Sequence, residues 1–376
     1  MIRHSFGWLS NSLLLAVSVV VSAALLEGAT RFFFHPVDYL LPTLVADPYL
    51  GHRVEGGSGG HDEWGFRNFA RPDQADIVAI GDSMTYGLAA RAQDSWPAVL
   101  AAVTGKGVYN AALGGYGPLQ YLHLFRQYAL TLQPADVVVG VYCGNDLFDT
   151  VKLAYGNDNW ANYRVPQLSE TSNTRQFVID QPETSPDKSL SVLRNYLAHH
   201  SVLYRLATSL PIVDRFRGVT RNTVDPGLFV FSMGDRQSIL TPGQNKLLMN
   251  LDDPQVVGAI KITKRALLEM GQIAQNERIR MHILLMPTKE LVYSELLEAH
   301  GVIDSHPDMV AALQYEQAIR DDLIAFLKAS QYAYVDPLPE LRQAVRIAEI
   351  YPFNDGHPNA AGYRLIAGRI ASTLRR

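Results

Sequence analysis

From residue 75 onward, short apolar segments alternate with long helical segments, and this alternation constrains the fold more than any other feature. Five segments of four to eight residues are candidate strands: Asp76–Ile80, Gly107–Ala111, Asp136–Cys143, Met281–Met286 and Ala333–Asp336. The candidate helices are Trp96–Val103, Leu119–Leu132, Pro254–Asn276, Pro307–Ala329 and Ala360–Leu374, the last of them after the N-cap residue Asn359. Strands alternating with long helices predict an α/β fold, with a parallel sheet covered by helices on both faces.

Two regions depart from this alternation. Residues 28–74 are rich in Gly, Pro and charge and include GGSGG at 56–60, which predicts a connector with little helix. Residues 151–250 fall between the third and fourth strands, and we interpret them as an insertion in a domain spanning residues 75–376. Their candidate elements are a polar stretch, a helix and a short β segment: Glu170–Lys188, Ser189–Leu206 and Leu228–Ser232.

Each predicted strand is followed by polar or glycine-rich residues. The sequences at these ends are GDS at 81–83, NAALGG at 110–115, GND at 144–146 and PTKE at 287–290, and NDGHPN at 354–359 precedes the last helix. In open parallel sheets, ligands bind outside the carboxyl ends of the strands. We therefore expect these residues to converge on one edge of the sheet.

Ser83, His357 and Asp355 have the chemistry of a nucleophilic site. Ser83 follows a strand where a helix begins, so its hydroxyl would project outward beside a helix N-terminus. A serine hydroxyl needs an adjacent base, and histidine ordinarily titrates near neutral pH. A carboxylate such as Asp355 would orient the imidazole and stabilise its protonated form. Alternatively, Ser83 only caps a helix and His357 is a structural residue beside a proline turn.

Three other residues near the strand ends have simpler interpretations. Asp82 and Asp146 are expected to bond backbone groups in their own loops, and Cys143 to be a small core residue on the third strand.

Four blocks in order resemble the SGNH (GDSL-type) hydrolase family: GDSMTYG at 81–87, NAALGG at 110–115, GND at 144–146 and DGHPN at 355–359. The resemblance covers about residues 75–376 and is poor over 151–250. It implies a three-layer, flavodoxin-like α/β/α fold and a cofactor-free hydrolase that forms an acyl-Ser83 intermediate. The implied oxyanion-hole donors are the backbone N–H groups of Ser83 and Gly115 and the side-chain amide of Asn145. Gly115, not Gly114, lies five residues after Asn110, which is the family's usual spacing. For Asn145, capping a turn is the alternative role.

The block that contains His357, DGHPN at 355–359, departs from the family pattern, which often reads D-x-x-H. Here the residue three before His357 is Asn354, and Asp355 is two before it. This D-G-H arrangement is similar to that of membrane-anchored bacterial members, and we expect Asp355 to be the acid. If Asn354 is the partner instead, the triad carries no negative charge. On the same rim, Lys289 in PTKELVY is a candidate substrate contact, with a structural salt bridge as the alternative.

The N-terminus carries an uncharged apolar segment, Trp8–Leu26. As a helix it would be roughly 28 Å long, close to the ~30 Å hydrocarbon core of a bilayer. A buried core helix and a signal peptide cleaved after Val21-Ser22-Ala23 are alternatives. Because the apolar segment continues past that site, we expect a short tail at 1–7 and an uncleaved anchor at 8–27. Arg3 favours an N-terminus inside, with the remaining chain outside the cytoplasm of a bacterial inner membrane, in the periplasm.

Composition excludes several partners. The net charge is −4, which argues against nucleic acid. Cys143 is the single cysteine, so an internal disulfide and a cysteine-rich zinc site are excluded, and the histidines lack metal-site spacing. The sequence therefore predicts a membrane-anchored esterase acting on an acylated small molecule or glycan, without a metal. An O-acyltransferase to a surface polysaccharide and a non-catalytic carbohydrate-binding protein are the alternatives.

Overall fold

The computed structural model describes residues 2–166, 188–209, 228–234 and 236–375. Its centre is a five-stranded parallel sheet. In chain order the strands of this sheet are β3 (Ile77–Gly81), β4 (Val108–Ala112), β5 (Asp136–Tyr142), β8 (Arg280–Met286) and β9 (Ala333–Val335). Two antiparallel hairpins accompany it, formed by β1 (Leu44–Asp47) with β2 (Gly51–Val54) and by β6 (Phe229–Met233) with β7 (Arg236–Leu240).

The spatial order of the parallel sheet is β4-β3-β5-β8-β9. Counted along the chain this is 2-1-3-4-5, the flavodoxin-like order. Strand β3, which has a partner on each side, is buried along its whole length: Ile77 pairs with Val108 on β4 and with Asp136 on β5. The predicted parallel α/β fold is confirmed.

Helices cover both faces of the sheet. The helices of the described residues are α1 (Ile2–Phe33), α2 (Ser83–Tyr86), α3 (Trp96–Thr104), α4 (Pro118–Leu124), α5 (Asp146–Gly156), α6 (Lys188–His200), α7 (Val202–Thr208), α8 (Pro242–Leu248), α9 (Pro254–Glu277), α10 (Lys289–Ala299), α11 (Pro307–Ala329), α12 (Leu338–Val345) and α13 (Ala360–Leu374).

Alternate side chains of each strand enter two separate cores. Val78 and Ile80 of β3 pack with α4, α5 and α9, while Ile77 and Ala79 pack with α3, α10 and α13. Because successive strand residues point to opposite faces, one apolar strand supplies both cores. Fully burying such an aliphatic side chain contributes about 1.5–3 kcal/mol, so the strands are fixed firmly from both sides.

Several predicted elements differ in detail. The helix predicted at Leu119–Leu132 is α4 continued by a π-helix over Phe125–Ala129 and a 3₁₀ turn over Leu130–Leu132. The helix predicted at Ser189–Leu206 is divided at Ser201, whose side chain caps α7. The β segment predicted at Leu228–Ser232 is β6, paired in a hairpin with β7. The polar stretch predicted at Glu170–Lys188 lies, apart from Lys188, outside the described residues.

The segment predicted as a connector, 28–74, is packed against the domain. It forms the β1–β2 hairpin, and Leu50, Val54 and Phe66 are buried in the same core as α4 and α5. Its glycines supply turns with positive φ, such as Gly57 and Gly65, rather than a free linker. Glycine content alone therefore indicated turns but not whether they were packed.

Helix α1 begins before the predicted anchor and ends after it. Its Asn11–Phe33 portion has a mean hydropathy of 2.0 and no part of it is buried, so by length and composition it could cross a membrane or serve as a signal sequence. Near its end, the Glu27 carboxylate accepts hydrogen bonds from the Ser201 hydroxyl and from the backbone N–H groups of Val202 and Leu203. The start of α7 is thereby attached to α1.

Candidate active site

Three neighbouring strand ends bring the predicted site residues to one place. Ser83 follows β3, the glycine pair 114–115 follows β4, and Asn145 follows β5. The sheet order reverses between β3 and β5, and in flavodoxin-like sheets ligands bind at this switch point. The position of the cluster therefore follows from the topology.

Ser83 begins a helix of a single turn. Asp82 caps this turn, since its Oδ1 accepts a hydrogen bond from the backbone N–H of Met84 at 2.9 Å. A Cβ at Gly81 would lie 2.1 Å from the Thr85 hydroxyl oxygen, so only glycine fits before the turn. Burial raises the pKa of Asp82 to about 6. Asp82 is thus a buried cap beneath Ser83, in agreement with its predicted structural role.

His357 bridges Ser83 and Asp355. The Ser83 Oγ and His357 Nε2 are 2.8 Å apart, and His357 Nδ1 lies 2.6 Å from Asp355 Oδ1. The same carboxylate oxygen accepts the backbone N–H of His357 at 2.8 Å. Burial raises the pKa of Asp355, but the hydrogen bonds from His357 outweigh it and hold that pKa below its ordinary value. Asn354 is exposed, whereas Asp355 occupies the Nδ1 side of the ring.

The other two predicted donors lie at adjacent strand ends. Gly115 is exposed and has φ +76°, a conformation that glycine adopts without strain. A Cβ at its neighbour Gly114 would lie 3.6 Å from the Ser83 Cβ, so the glycine pair lies directly against the serine. Asn145 is half-buried at the start of α5, and its Nδ2 donates to Asp149.

Asp149 is a site residue that sequence analysis missed. It is buried, and burial raises its pKa to about 6. Its position four residues after Asn145, the residue at the N-terminal boundary of α5, was a usable signal, because residues i and i+4 lie next to each other on one side of a helix. Asp149 holds one of the two N–H groups of the Asn145 amide and leaves the other available.

Asp146 and Cys143 occupy structural positions. Asp146 is fully buried and accepts hydrogen bonds from the Tyr121 hydroxyl and the Tyr142 backbone N–H. Burial raises the pKa of Asp146 well above its ordinary value. Cys143 is buried, and burial raises its pKa to about 12, which leaves the thiol protonated and unreactive.

Lys289 lies below the rim. Its side chain is only 2% exposed, and its Nζ donates to the backbone carbonyl oxygens of Pro352, Phe353 and Asp355 at 2.9, 3.3 and 3.0 Å. All three ammonium protons are used, so none remains for the substrate contact suggested by the sequence. Burial lowers the pKa of Lys289 to about 8. The strand-end position suggested a rim residue, but the side chain points into the loop that carries His357.

His52 is the second residue that the sequence did not indicate. It lies on β2, within the supposed connector, and its Nε2 is 3.2 Å from the carbonyl oxygen of Gly114. A Cβ at Gly115 would lie 3.6 Å from the His52 Cε1. No motif or spacing pointed to this contact, because it depends on how the β1–β2 hairpin packs.

Among the described residues, no cluster of three or more His, Cys, Asp or Glu side chains could hold a metal ion. The reactive groups gathered at the switch point are therefore a hydroxyl, an imidazole, a carboxylate and amide donors. Such a set can carry out nucleophilic attack with general acid–base assistance.

Several solved structures are similar to this chain. A G-D-S-L-family lipolytic protein from Desulfitobacterium hafniense is 14% identical with a TM-score of 0.40, and the alignment covers 79% of this chain and 98% of that one. A G-D-S-L-family lipolytic protein from Veillonella parvula is 14% identical with a TM-score of 0.38, covering 80% and 98%. A catalytic mutant of an acetylxylan esterase from Geobacillus stearothermophilus is 12% identical with a TM-score of 0.36, covering 81% and 95%.

No family model matches the chain, and no curated protein matches it.

Proposed function

We propose that this chain is a serine hydrolase of the SGNH type that cleaves ester-linked acyl groups through an acyl-Ser83 intermediate. The observation that carries the proposal is the unbroken hydrogen-bonded series from Ser83 Oγ through His357 to Asp355, with distances of 2.8 and 2.6 Å. The first distance is within the range needed for proton transfer from a nucleophile to its base. The second is that of a hydrogen bond by which a carboxylate orients the imidazole.

In the first half of the reaction, the Ser83 Oγ attacks the ester carbonyl carbon while His357 Nε2 takes the hydroxyl proton. The tetrahedral intermediate collapses, the bond to the alcohol oxygen breaks, and the proton passes from His357 to the departing alcohol. Water then attacks the acyl carbon while His357 takes a proton from it. The bond between the acyl carbon and Ser83 Oγ breaks, His357 returns the proton to Ser83, and the carboxylic acid leaves. Asp355 holds the Nδ1–H tautomer and stabilises the imidazolium at each step.

The negative charge on the carbonyl oxygen needs donors in place before reaction. In our proposal these are the backbone N–H groups of Ser83 and Gly115 and the Asn145 amide, which come from three neighbouring strand ends. Removing one such donor typically costs about 2.7–4 kcal/mol of transition-state stabilisation. The half-buried Ser83 and exposed Gly115 leave the acyl group room to approach.

Substitution of Ser83 tests this proposal. Ser83→Ala is expected to lower p-nitrophenyl acetate hydrolysis by at least about 10³-fold, because only binding and the oxyanion donors remain. Ser372→Ala is the matched control, since Ser372 is exposed on α13 and bonds only a backbone carbonyl of its own helix. Equal activity of the Ser83→Ala protein and the wild type would show that Ser83 is not the nucleophile.

We also infer that residues 8–27 remain attached as a membrane anchor, with the catalytic domain in the periplasm. The uninterrupted helix α1 and its apolar portion Asn11–Phe33, which continues past Ala23, support this inference. After carbonate washing, a C-terminally tagged protein should remain in the membrane fraction at full mass. A soluble protein shorter by about 23 residues would instead indicate a cleaved signal peptide.

A further inference from the structure

The β1–β2 hairpin lies against the segment that follows β4, namely the glycine pair 114–115 and the start of α4. The Tyr116 hydroxyl donates to the carbonyl oxygen of His52 at 2.7 Å, and the Gln120 amide reaches the carbonyl oxygen of Leu50 at 3.5 Å. Leu50 is buried in the core beneath. These contacts hold the backbone around His52, and the imidazole ring itself packs beside the Tyr116 ring, with the ring centroids 5.3 Å apart.

The imidazole ring of His52 makes one hydrogen bond to the glycine pair 114–115, from its Nε2 to the carbonyl oxygen of Gly114 at 3.2 Å. A carbonyl oxygen can only accept, so the Nε2 must carry the proton. Burial lowers the pKa of His52 and the positive charge of Lys152 acts in the same direction, while the hydrogen bond to Gly114 opposes both. The imidazole therefore makes this contact as a neutral donor at neutral pH.

The Gly114 carbonyl and the Gly115 N–H belong to the same peptide unit. In a planar trans peptide these two groups point in opposite directions. A donor fixed on the carbonyl therefore also fixes the direction of the N–H. The hydrogen bond to the Gly114 carbonyl also makes the Gly115 N–H a stronger donor, because hydrogen bonds in series polarise one another.

We propose that His52 is a positioning residue that orients the Gly114–Gly115 peptide so that the Gly115 N–H points to the substrate oxyanion. This inference rests on the proposed function, in which Gly115 supplies one of the oxyanion donors. Glycine at 115, with φ +76°, would otherwise leave this peptide free to rotate. The segment that resembled a connector thus contributes to catalysis through His52.

Three variants separate hydrogen bonding from packing. His52→Gln keeps an N–H donor near the position of Nε2, whereas His52→Asn places its amide near Nδ1 and cannot reach Gly114. His52→Leu fills much of the space without any donor. Melting temperatures identify variants that are merely unfolded, and kcat and KM for p-nitrophenyl acetate are measured on the folded proteins.

We expect His52→Leu and His52→Asn to lower kcat by about tenfold with KM within about twofold, because the oxyanion donor is misdirected rather than removed. His52→Gln should stay within about threefold of the wild type. Equal kcat values for the Leu and Gln variants would overturn the inference. A raised KM with unchanged kcat would also overturn it, since His52 would then contact the bound substrate.

A fluorophosphonate probe distinguishes failure of this inference from failure of the proposed function. The wild type should be labelled at Ser83, and His52→Leu should be labelled about tenfold more slowly, because the phosphonyl oxygen occupies the oxyanion site. Equal labelling rates for these two proteins would overturn the role of His52 but would not affect the assignment of Ser83 as the nucleophile. Absence of Ser83 labelling in the wild type would overturn both.

Discussion

Ser83 and His357 face each other at 2.8 Å, but different kinds of structure hold them. Ser83 sits at the end of β3, a strand buried along its length and paired on both sides. His357 sits in the loop 346–359 between α12 and α13, outside the sheet, where side-chain hydrogen bonds add to a few backbone hydrogen bonds of the loop. Lys289 bonds three carbonyls of this loop, and the Asn359 amide bonds a fourth, that of Glu349.

The proposed active site thus combines a half fixed by the sheet backbone with a half in which single side chains supply much of the support. Changes beneath Ser83 would disturb the central sheet and reduce overall stability. Changes around His357 should reduce activity more than stability, because the loop can loosen while the sheet remains intact. Three predictions examine the His357 half of this comparison, from the largest expected effect to the smallest.

The largest effect is expected from the acid of the His357 half. Asp355→Asn keeps the shape but removes the charge that stabilises the imidazolium, and should lower kcat by about 10–10³-fold. Asn354→Ala should change kcat by less than about threefold, because Asn354 is exposed and does not occupy Nδ1.

Steady-state kinetics on folded protein, checked by melting curves, make this measurement. If Asn354→Ala abolishes turnover while Asp355→Asn leaves it intact, the site is a Ser-His-Asn arrangement and our assignment of the acid is wrong.

A smaller loss is expected when the loop is released. Lys289→Met keeps the aliphatic length but removes three hydrogen bonds to partly buried loop carbonyls, and should lower kcat by about tenfold as His357 becomes less well placed. Lys264→Met is the control. It breaks a partly exposed pair with Asp322, worth about 0–1 kcal/mol, and a contact with the Phe326 ring, and neither group belongs to the loop. Unchanged kcat in the Lys289→Met protein would show that the loop keeps its conformation without the hydrogen bonds from Lys289.

The smallest effect is a pH dependence of stability. Folding lowers the pKa of Lys289 from 10.5 to about 8, so between these values the unfolded chain binds more protons at this residue. The free energy of unfolding of the wild type should therefore rise with pH relative to that of Lys289→Met, by roughly 2–3 kcal/mol from about pH 8 to 10.5. Urea unfolding at several pH values measures this difference, and a flat or falling difference would contradict the burial of Lys289.

Much of the fold could be predicted because its elements have strong periodic signals. The bounds of α11 and α13 agree with the prediction at both ends, and those of the five strands of the parallel sheet agree to within about two residues. The two helices could be predicted because they are long, and the strands because they are short apolar segments. Helices α5, α8, α10 and α12 were not among the predicted helices. Helix α8 and most of α5 lie in the segment interpreted as an insertion, α10 begins three residues after the end of β8, and α12 is short. The β1–β2 hairpin was missed because only tertiary packing stabilises its two four-residue strands.

For the site, the sequence indicated residues that follow strands, because topology alone brings strand ends together. It could not indicate what lies behind them. The contact of His52 with Gly114 joins residues 62 apart in sequence, and the contacts of Lys289 with its loop join residues 63–66 apart. Such supports depend on the direction of a side chain, which a strand-end position leaves open. This is why Lys289 was placed on the rim.

The central claim is that Ser83 is the nucleophile activated by His357. Peptide mapping by mass spectrometry after fluorophosphonate treatment tests this claim most directly. We predict a single adduct on the peptide that contains Ser83, lost in Ser83→Ala and formed much more slowly in His357→Ala. An adduct on another residue, or labelling of Ser83→Ala as strong as that of the wild type, would contradict the account.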